Sequence, residues 1–160
     1  MITKNDFPIL EFDDNKVAKL NPSALFEKKN PEKKMIITFF PEALEKLKEE
    51  NLIEKAYYIG GENPFDIYRF VGTDILIVLG QVGCPACAGN LDCFYAMGVE
   101  KVMFCGGGGV LDKNIAVGQL LLVDGAIRDE GFSYHYVEAS RYIYTKKEVT
   151  DKIASFLDEN

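Results

Sequence analysis

Lys101–Tyr136, KVMFCGGGGVLDKNIAVGQLLLVDGAIRDEGFSYHY, is the stretch whose reading decides the fold. The apolar run Val102-Met103-Phe104-Cys105 is followed by four consecutive glycines, Gly106 to Gly109. Glycine alone tolerates positive φ freely and lets another group approach the backbone closely. A strand that ends in such a loop is a common way for an α/β sheet to offer backbone N–H groups to a small ligand. A second apolar run, Leu120–Val123, predicts a further strand. It is followed by Ala126-Ile127-Arg128-Asp129-Glu130-Gly131 and Ser133-Tyr134-His135-Tyr136.

Upstream, Ile75–Leu79 reads as a buried strand, Gly80–Pro85 as a loop, and Ala86–Met97 as a helix stopped by Gly98. Strand, glycine loop, helix and strand in this order predict that Ile75–Leu79 and Val102–Cys105 are adjacent and parallel. Gly83 and Gly106–Gly108 then share one carboxyl edge. Further towards the N-terminus, Met35–Phe39 reads as a buried strand, and Pro41–Asn51 as a helix supported by Glu42 and Lys46 four residues apart. Tyr57–Ile59 and Phe65–Val71 read as strands joined by a turn, and Phe7–Asp13 as a short extended segment. Thr145 and Glu148 form a capping box that opens a last helix with Val149, Ile153, Phe156 and Leu157 on one face. Strands alternating with helices predict a three-layer α/β/α sandwich with a mostly parallel or mixed central sheet, in a single domain over 1–160.

The chain has 160 residues, is 48% hydrophobic and carries a formal net charge of −7. That composition is globular, and the acidic balance disfavours nucleic acid and anionic membrane as partners. The basic cluster Lys28-Lys29 with Lys33-Lys34 is interrupted by Pro31 and Glu32 and reads as a solvated linker. No apolar run has the length of a membrane span and the N-terminus is polar, which predicts a cytoplasmic protein. The cysteines Cys84, Cys87, Cys93 and Cys105 lie in or beside apolar segments, as reduced thiols do.

The ordered pattern of Gly106–Gly109, Val117-Gly118, Leu120–Val123, Arg128, Gly131, Ser133 and His135-Tyr136 resembles the nucleoside phosphorylase and nucleosidase superfamily. Gln119 departs from it, where the family commonly has Asp. The resemblance is strongest from Ile75 to Tyr136 and weaker through Met35–Glu50. It implies cleavage of a nucleoside N-glycosidic bond by phosphate or water, in nucleoside salvage. It also implies Gly83, Gly106, Gly107 and Gly108 as substrate-binding backbone, and a homo-oligomer. Arg128 and His135 are candidates for a pocket or a subunit interface, with Arg128 expected in a structural ion pair beside Asp129 and Glu130. No cofactor or metal is implied, and no catalytic residue is assigned.

Phosphorolytic members carry glycine and arginine after the first strand and an arginine before the glycine loop. Here those segments read Phe39-Phe40-Pro41-Glu42-Ala43 and Met103-Phe104-Cys105-Gly106, and the paired aromatics read as core and wall residues. A phosphate would rest on backbone amides without the arginine partners such sites favour. The family's base-contacting and base-protonating residues lie on later elements, so the chain is expected to be an N-terminal portion, inactive alone. Two other readings stand beside this one: a noncatalytic nucleoside-binding or assembly module, and a thiol redox protein built on Cys84-Pro85-Ala86-Cys87.

Overall fold

The computed structural model describes residues 4–24, 26 and 30–159. They form two compact units, one spanning 17–108 and the other made of 1–16 with 109–160. The first contains β1 (Lys34–Thr38), α1 (Pro41–Glu49), β2 (Ile53–Ile59), β3 (Phe65–Phe70), β4 (Ile75–Leu79), α2 (Cys84–Met97) and β5 (Lys101–Cys105). The strands make one mixed sheet in the order β2-β3-β4-β1-β5. β1 runs parallel to both β4 and β5, while β3 is antiparallel to β2 and β4.

Alternation along the strands divides the apolar residues between two faces. Met35, Ile37, Ile67, Leu76 and Val78 bury on one face with Phe94, Met97 and Val99, so α2 covers that side. On the other, Ile77 and Ile53 meet Leu44 of α1, with Ile36 and Leu47 packed around them. This is the three-layer α/β/α arrangement predicted from the sequence. Each of these side chains contributes roughly 1.5–3 kcal/mol by leaving water.

The helix ends follow from local chemistry. Pro41 begins α1, where an amide hydrogen would have no helical partner, and Asn51 turns the chain out of it at φ 56°. α2 opens on Gly83 at φ 108° with a proline in its first turn. It closes on Gly98 at φ 113°, whose N–H reaches the Phe94 and Tyr95 carbonyls.

Glu32 is 2% exposed and held by polar partners. The Tyr57 hydroxyl donates to its Oε2 at 2.7 Å and Arg69 Nη1 to its Oε1 at 2.9 Å, while Arg69 also binds Glu54. Burial pushes the Glu32 carboxyl upward, but hydrogen bonds, chiefly from Tyr57 and Arg69, outweigh it and leave the group below its ordinary value. Burial and the bond to Glu32 push the Tyr57 phenol up to about 12.

The structure corrects several expectations for this unit. β1 lies between β4 and β5, so those two strands are parallel but not adjacent. β5 is an edge strand rather than a buried one, leaving Met103 48% and Phe104 47% exposed. Lys46 pairs with Glu50, not with Glu42. Lys33 and Lys34 pair with Glu100 and Asp74, whereas Lys28 and Lys29 lie outside the described residues.

The second unit holds β6 (Gly125–Ile127), β7 (Tyr142–Tyr144) and α3 (Lys147–Glu159), with β6 and β7 antiparallel. Leu120–Val123 is not a strand: no described strand pairs with it, and its side chains stay 39–71% exposed. A run with no ladder partner has nowhere to place its backbone hydrogen bonds except water. Gln119 Oε1 accepts from the Ala116 amide at 3.2 Å in the turn before it. The Thr145 hydroxyl donates to the Asp124 carbonyl at 3.0 Å, tying the entry of α3 to the end of that run rather than capping the helix as expected. Val149, Phe156 and Leu157 of α3 remain exposed. Pro8–Leu10 forms a turn of 3-10 helix where an extended segment was expected, because Pro8 fixes φ in the helical range and the Glu11 amide closes onto its carbonyl.

Candidate functional site

Because β1, β4 and β5 run parallel, the segments that follow them emerge at the same edge of the sheet. α/β sheets bind ligands outside such carboxyl ends. Gly83 and Gly106–Gly108 are therefore brought to one edge, as the sequence predicts, with the loop after β1 between them. The ladders continue one residue beyond the strands: Gly80 N–H donates to the Thr38 carbonyl at 2.7 Å and Phe39 N–H to the Cys105 carbonyl at 2.9 Å. The Phe40 amide closes onto Thr38 Oγ1 at 3.2 Å.

This register sets Phe39 between Gly80 and Gly106. A Cβ on Gly80 would meet Phe39 Cε1 at 2.6 Å and Ile37 Cγ2 at 2.9 Å, and one on Gly106 would meet Phe39 Cδ2 at 3.2 Å. These two glycines make room for a phenyl ring of the neighbouring strand. Gly107 lies in ordinary contact with Phe40, at 3.7 Å, whereas Gly83 and Gly108 face open space. Gly83 is required by its φ of 108° alone. Among the described residues, the amides of Gly83, Gly107 and Gly108 meet no acceptor. The edge therefore offers unused backbone donors on two loops.

Its side chains are largely uncharged. Residues 38–42, 79–85 and 105–108 contain no lysine or arginine, and Glu42 is their single acidic residue. Phe40 and Val82 are 44% and 90% exposed. The Phe39 and Phe104 rings stack at a centroid distance of 6.4 Å. Sequence reasoning treated Phe39 only as a core or wall residue. The signal that could have singled it out was glycine at the corresponding position after both neighbouring strands.

Cys84 and Cys87 open α2, and burial pushes the Cys87 thiol up. A redox cysteine needs the opposite shift to hold a thiolate, which argues against the redox reading. Among the described residues, no three His, Cys, Asp or Glu side chains gather as metal ligands. Nor is any described helix long and apolar enough to cross a membrane.

Arg128 and His135 belong to the other unit. Arg128 is 5% exposed and its guanidinium donates to Ser133 Oγ at 2.9 Å, Ser140 Oγ at 2.8 Å and the Glu138 and Val137 carbonyls at 2.6 and 3.0 Å. It also lies over the Tyr134 ring, whose hydroxyl donates back to the Arg128 carbonyl. The residue is structural as expected, but its hydrogen-bond acceptors are two hydroxyls and two carbonyls rather than the carboxylates beside it. Ser133, Tyr134 and Ser140 are the partners sequence reasoning missed, since a saturated guanidinium is defined by backbone geometry. His135 is exposed, with its ring against Phe132 at 5.8 Å. An open groove of about 660 Å³ runs past Arg128, bordered by Leu10, Asp129, Tyr134 and Arg141.

Comparison with known proteins adds the following. Residues 33–160 match the family model of the phosphorylase superfamily. A guanosine phosphorylase of Halorubrum lacusprofundi is 35% identical over 65 residues, 41% of this chain and 27% of that protein. The crystal structure of uridine phosphorylase from Vibrio fischeri matches with a TM-score of 0.65 at 21% identity, over 84% of this chain and 60% of that one. Its complex with 6-hydroxy-1-naphthoic acid matches with a TM-score of 0.65 at 22% identity, over 83% and 58%. The two structures are evidence of shared fold. The chain spans about a quarter of the length of the guanosine phosphorylase and three fifths of the uridine phosphorylase.

Proposed function

The chain belongs to the phosphorylase superfamily, and from that premise we propose that it takes part in cleaving nucleoside N-glycosidic bonds, holding the nucleoside at the carboxyl edge of β1, β4 and β5. The observation that carries this reading is the pairing of two loops with unused donors, at Gly83 and at Gly107-Gly108, on one sheet edge. Amides fixed in a folded backbone are already oriented, so they can hold sugar hydroxyls without the entropy loss of ordering side chains. Bond cleavage places positive charge on the sugar and negative charge on the departing base. Backbone dipoles and a nearby anion serve the first, and an acid serves the second. No residue among Gly83 and Gly106–Gly108 can protonate a base, so this edge supplies binding and orientation.

The protein is proposed to be cytoplasmic, supported by four cysteines free of disulfides. It is also proposed to self-associate, supported by the half-exposed Met103 and Phe104 on edge strand β5. Light scattering that finds only monomer at high concentration refutes self-association.

The test of function incubates the protein with adenosine, inosine, uridine and methylthioadenosine, with and without phosphate. Base release and thermal stabilisation are followed together. Stabilisation by a nucleoside with base release supports the reading. Stabilisation without release supports the noncatalytic module, and neither effect refutes both.

A further inference from the structure

We propose that Phe39 is the specificity-determining residue of this edge: its ring fills the floor between the ends of β4 and β5, so the edge accepts a neutral nucleoside and refuses a compact anion such as inorganic phosphate. The inference rests on the preceding reading of the edge and adds to it what may enter there.

A phosphate held by a glycine loop needs close approach to bare backbone, and ordinarily a guanidinium or ammonium as well. At Gly80 and Gly106 the approach along the Cβ direction is taken. The Phe39 ring stands 2.6 Å from the Gly80 Cβ position and 3.2 Å from that of Gly106. The same ring faces Phe104 at 6.4 Å, which continues the apolar surface across β5. Gly80 N–H is committed to Thr38 and Phe39 N–H to Cys105, so neither is left for an oxygen of the anion. The loop after β1 brings no cation, since residues 38–42 read Thr-Phe-Phe-Pro-Glu and Glu42 adds a like charge. Desolvating a dianion against a phenyl ring and a carboxylate is unfavourable. The uncharged face of a nucleoside loses little hydration there, while its hydroxyls still reach the amides of Gly83 and Gly108.

The test compares the wild-type chain with Phe39→Ala and Phe39→Leu, each checked for folding by circular dichroism. Thermal melts are recorded with inosine, with inorganic phosphate, and with sodium chloride at the ionic strength of the phosphate. The wild type should gain no more from phosphate than from the matched salt. Removal of the ring in Phe39→Ala should produce a saturable, phosphate-specific rise in melting temperature, while Phe39→Leu, which keeps an apolar group on the floor, should behave as the wild type. Phosphate-specific stabilisation of the wild type overturns the proposal, and so does a folded Phe39→Ala that still refuses phosphate. If Phe39→Ala does not fold, phosphate titration of the wild type followed by amide nuclear magnetic resonance decides: a saturable shift at Gly80 or Gly106–Gly108 refutes, and its absence supports. A failure of inosine to stabilise the wild type counts against the nucleoside reading alone, because the phosphate arms judge Phe39 without it.

Discussion

Adding one methyl group to Gly80 tests the arrangement at the sheet edge directly. The new carbon in Gly80→Ala would lie 2.6 and 2.7 Å from two atoms of the Phe39 ring and 2.9 Å from Ile37 Cγ2. Carbon atoms settle at about 3.5–4.0 Å, so each contact is about an ångström too short. The φ of Gly80 lies outside the left-handed region, so backbone strain adds nothing and the whole effect is overpacking. Overpacking of this kind costs about 1–3 kcal/mol, which in a chain of this size lowers the melting temperature by roughly 2–10 °C. Two of the three contacts vanish with the ring, so the same substitution in a Phe39→Ala background should lose at least about half its cost. A double-mutant cycle by urea denaturation therefore gives a coupling of about 0.5–2 kcal/mol. Gly106→Ala, at 3.2 Å from the ring, should cost less than Gly80→Ala. A Gly80→Ala protein as stable as the wild type, or an undiminished cost without the ring, would refute the geometry.

Further outcomes follow from other parts of the structure. Gly108 faces open space with an ordinary φ, so Gly108→Ala should change stability by less than about 0.5 kcal/mol yet weaken nucleoside binding measured by titration calorimetry. Arg128→Ala strips donors from two buried carbonyls and two hydroxyls. It should destabilise residues 125–144 by about 3 kcal/mol or more, read as faster hydrogen exchange there, and Arg128→Lys should not restore it because an ammonium lacks the planar fork. The Glu32 carboxyl is held below its ordinary value of 4.5, so its contribution is full above that pH and is lost as the pH falls through the lowered value. The Tyr57 phenol moves the other way: burial and Glu32 raise it from 10.0 to about 12, so its contribution is full below pH 10 and is lost as the pH rises towards 12. Glu32→Gln should flatten the acid limb of a stability–pH profile and Tyr57→Phe the alkaline limb.

Much of the first unit was legible because burial there follows simple periods. Met35, Ile37, Leu76 and Val78 alternate as strand residues covered on both faces must, and Gly98 stops α2 through a left-handed φ that only glycine adopts easily. Strand order was not legible, since nothing in Ile75–Leu79 or Val102–Cys105 says that β1 inserts between them. Hydropathy alone also misread Leu120–Val123, because a strand needs a partner as well as apolar side chains. At the candidate site, the glycines were visible but their separate purposes were not. Whether a glycine faces a ligand or yields to a ring depends on a residue from another strand, as Phe39 shows for Gly80 and Gly106.

The second unit is discontinuous in sequence, since 1–16 and 109–160 contribute to it with the whole of 17–108 between them. The turn at Pro8–Leu10 contacts the one at Ser133–His135, and Gly131 lies beside Ile9. During synthesis, 17–108 can complete its sheet as it emerges, while the N-terminal segment must wait for residues made much later. Joining the two ends across an unfolded segment of about ninety residues would cost on the order of 4 kcal/mol in closure entropy. A folded 17–108 sets that separation in advance. Connectivity alone therefore makes the second unit depend on the first, and a substitution that loosens the sheet should also be felt at the ends of the chain.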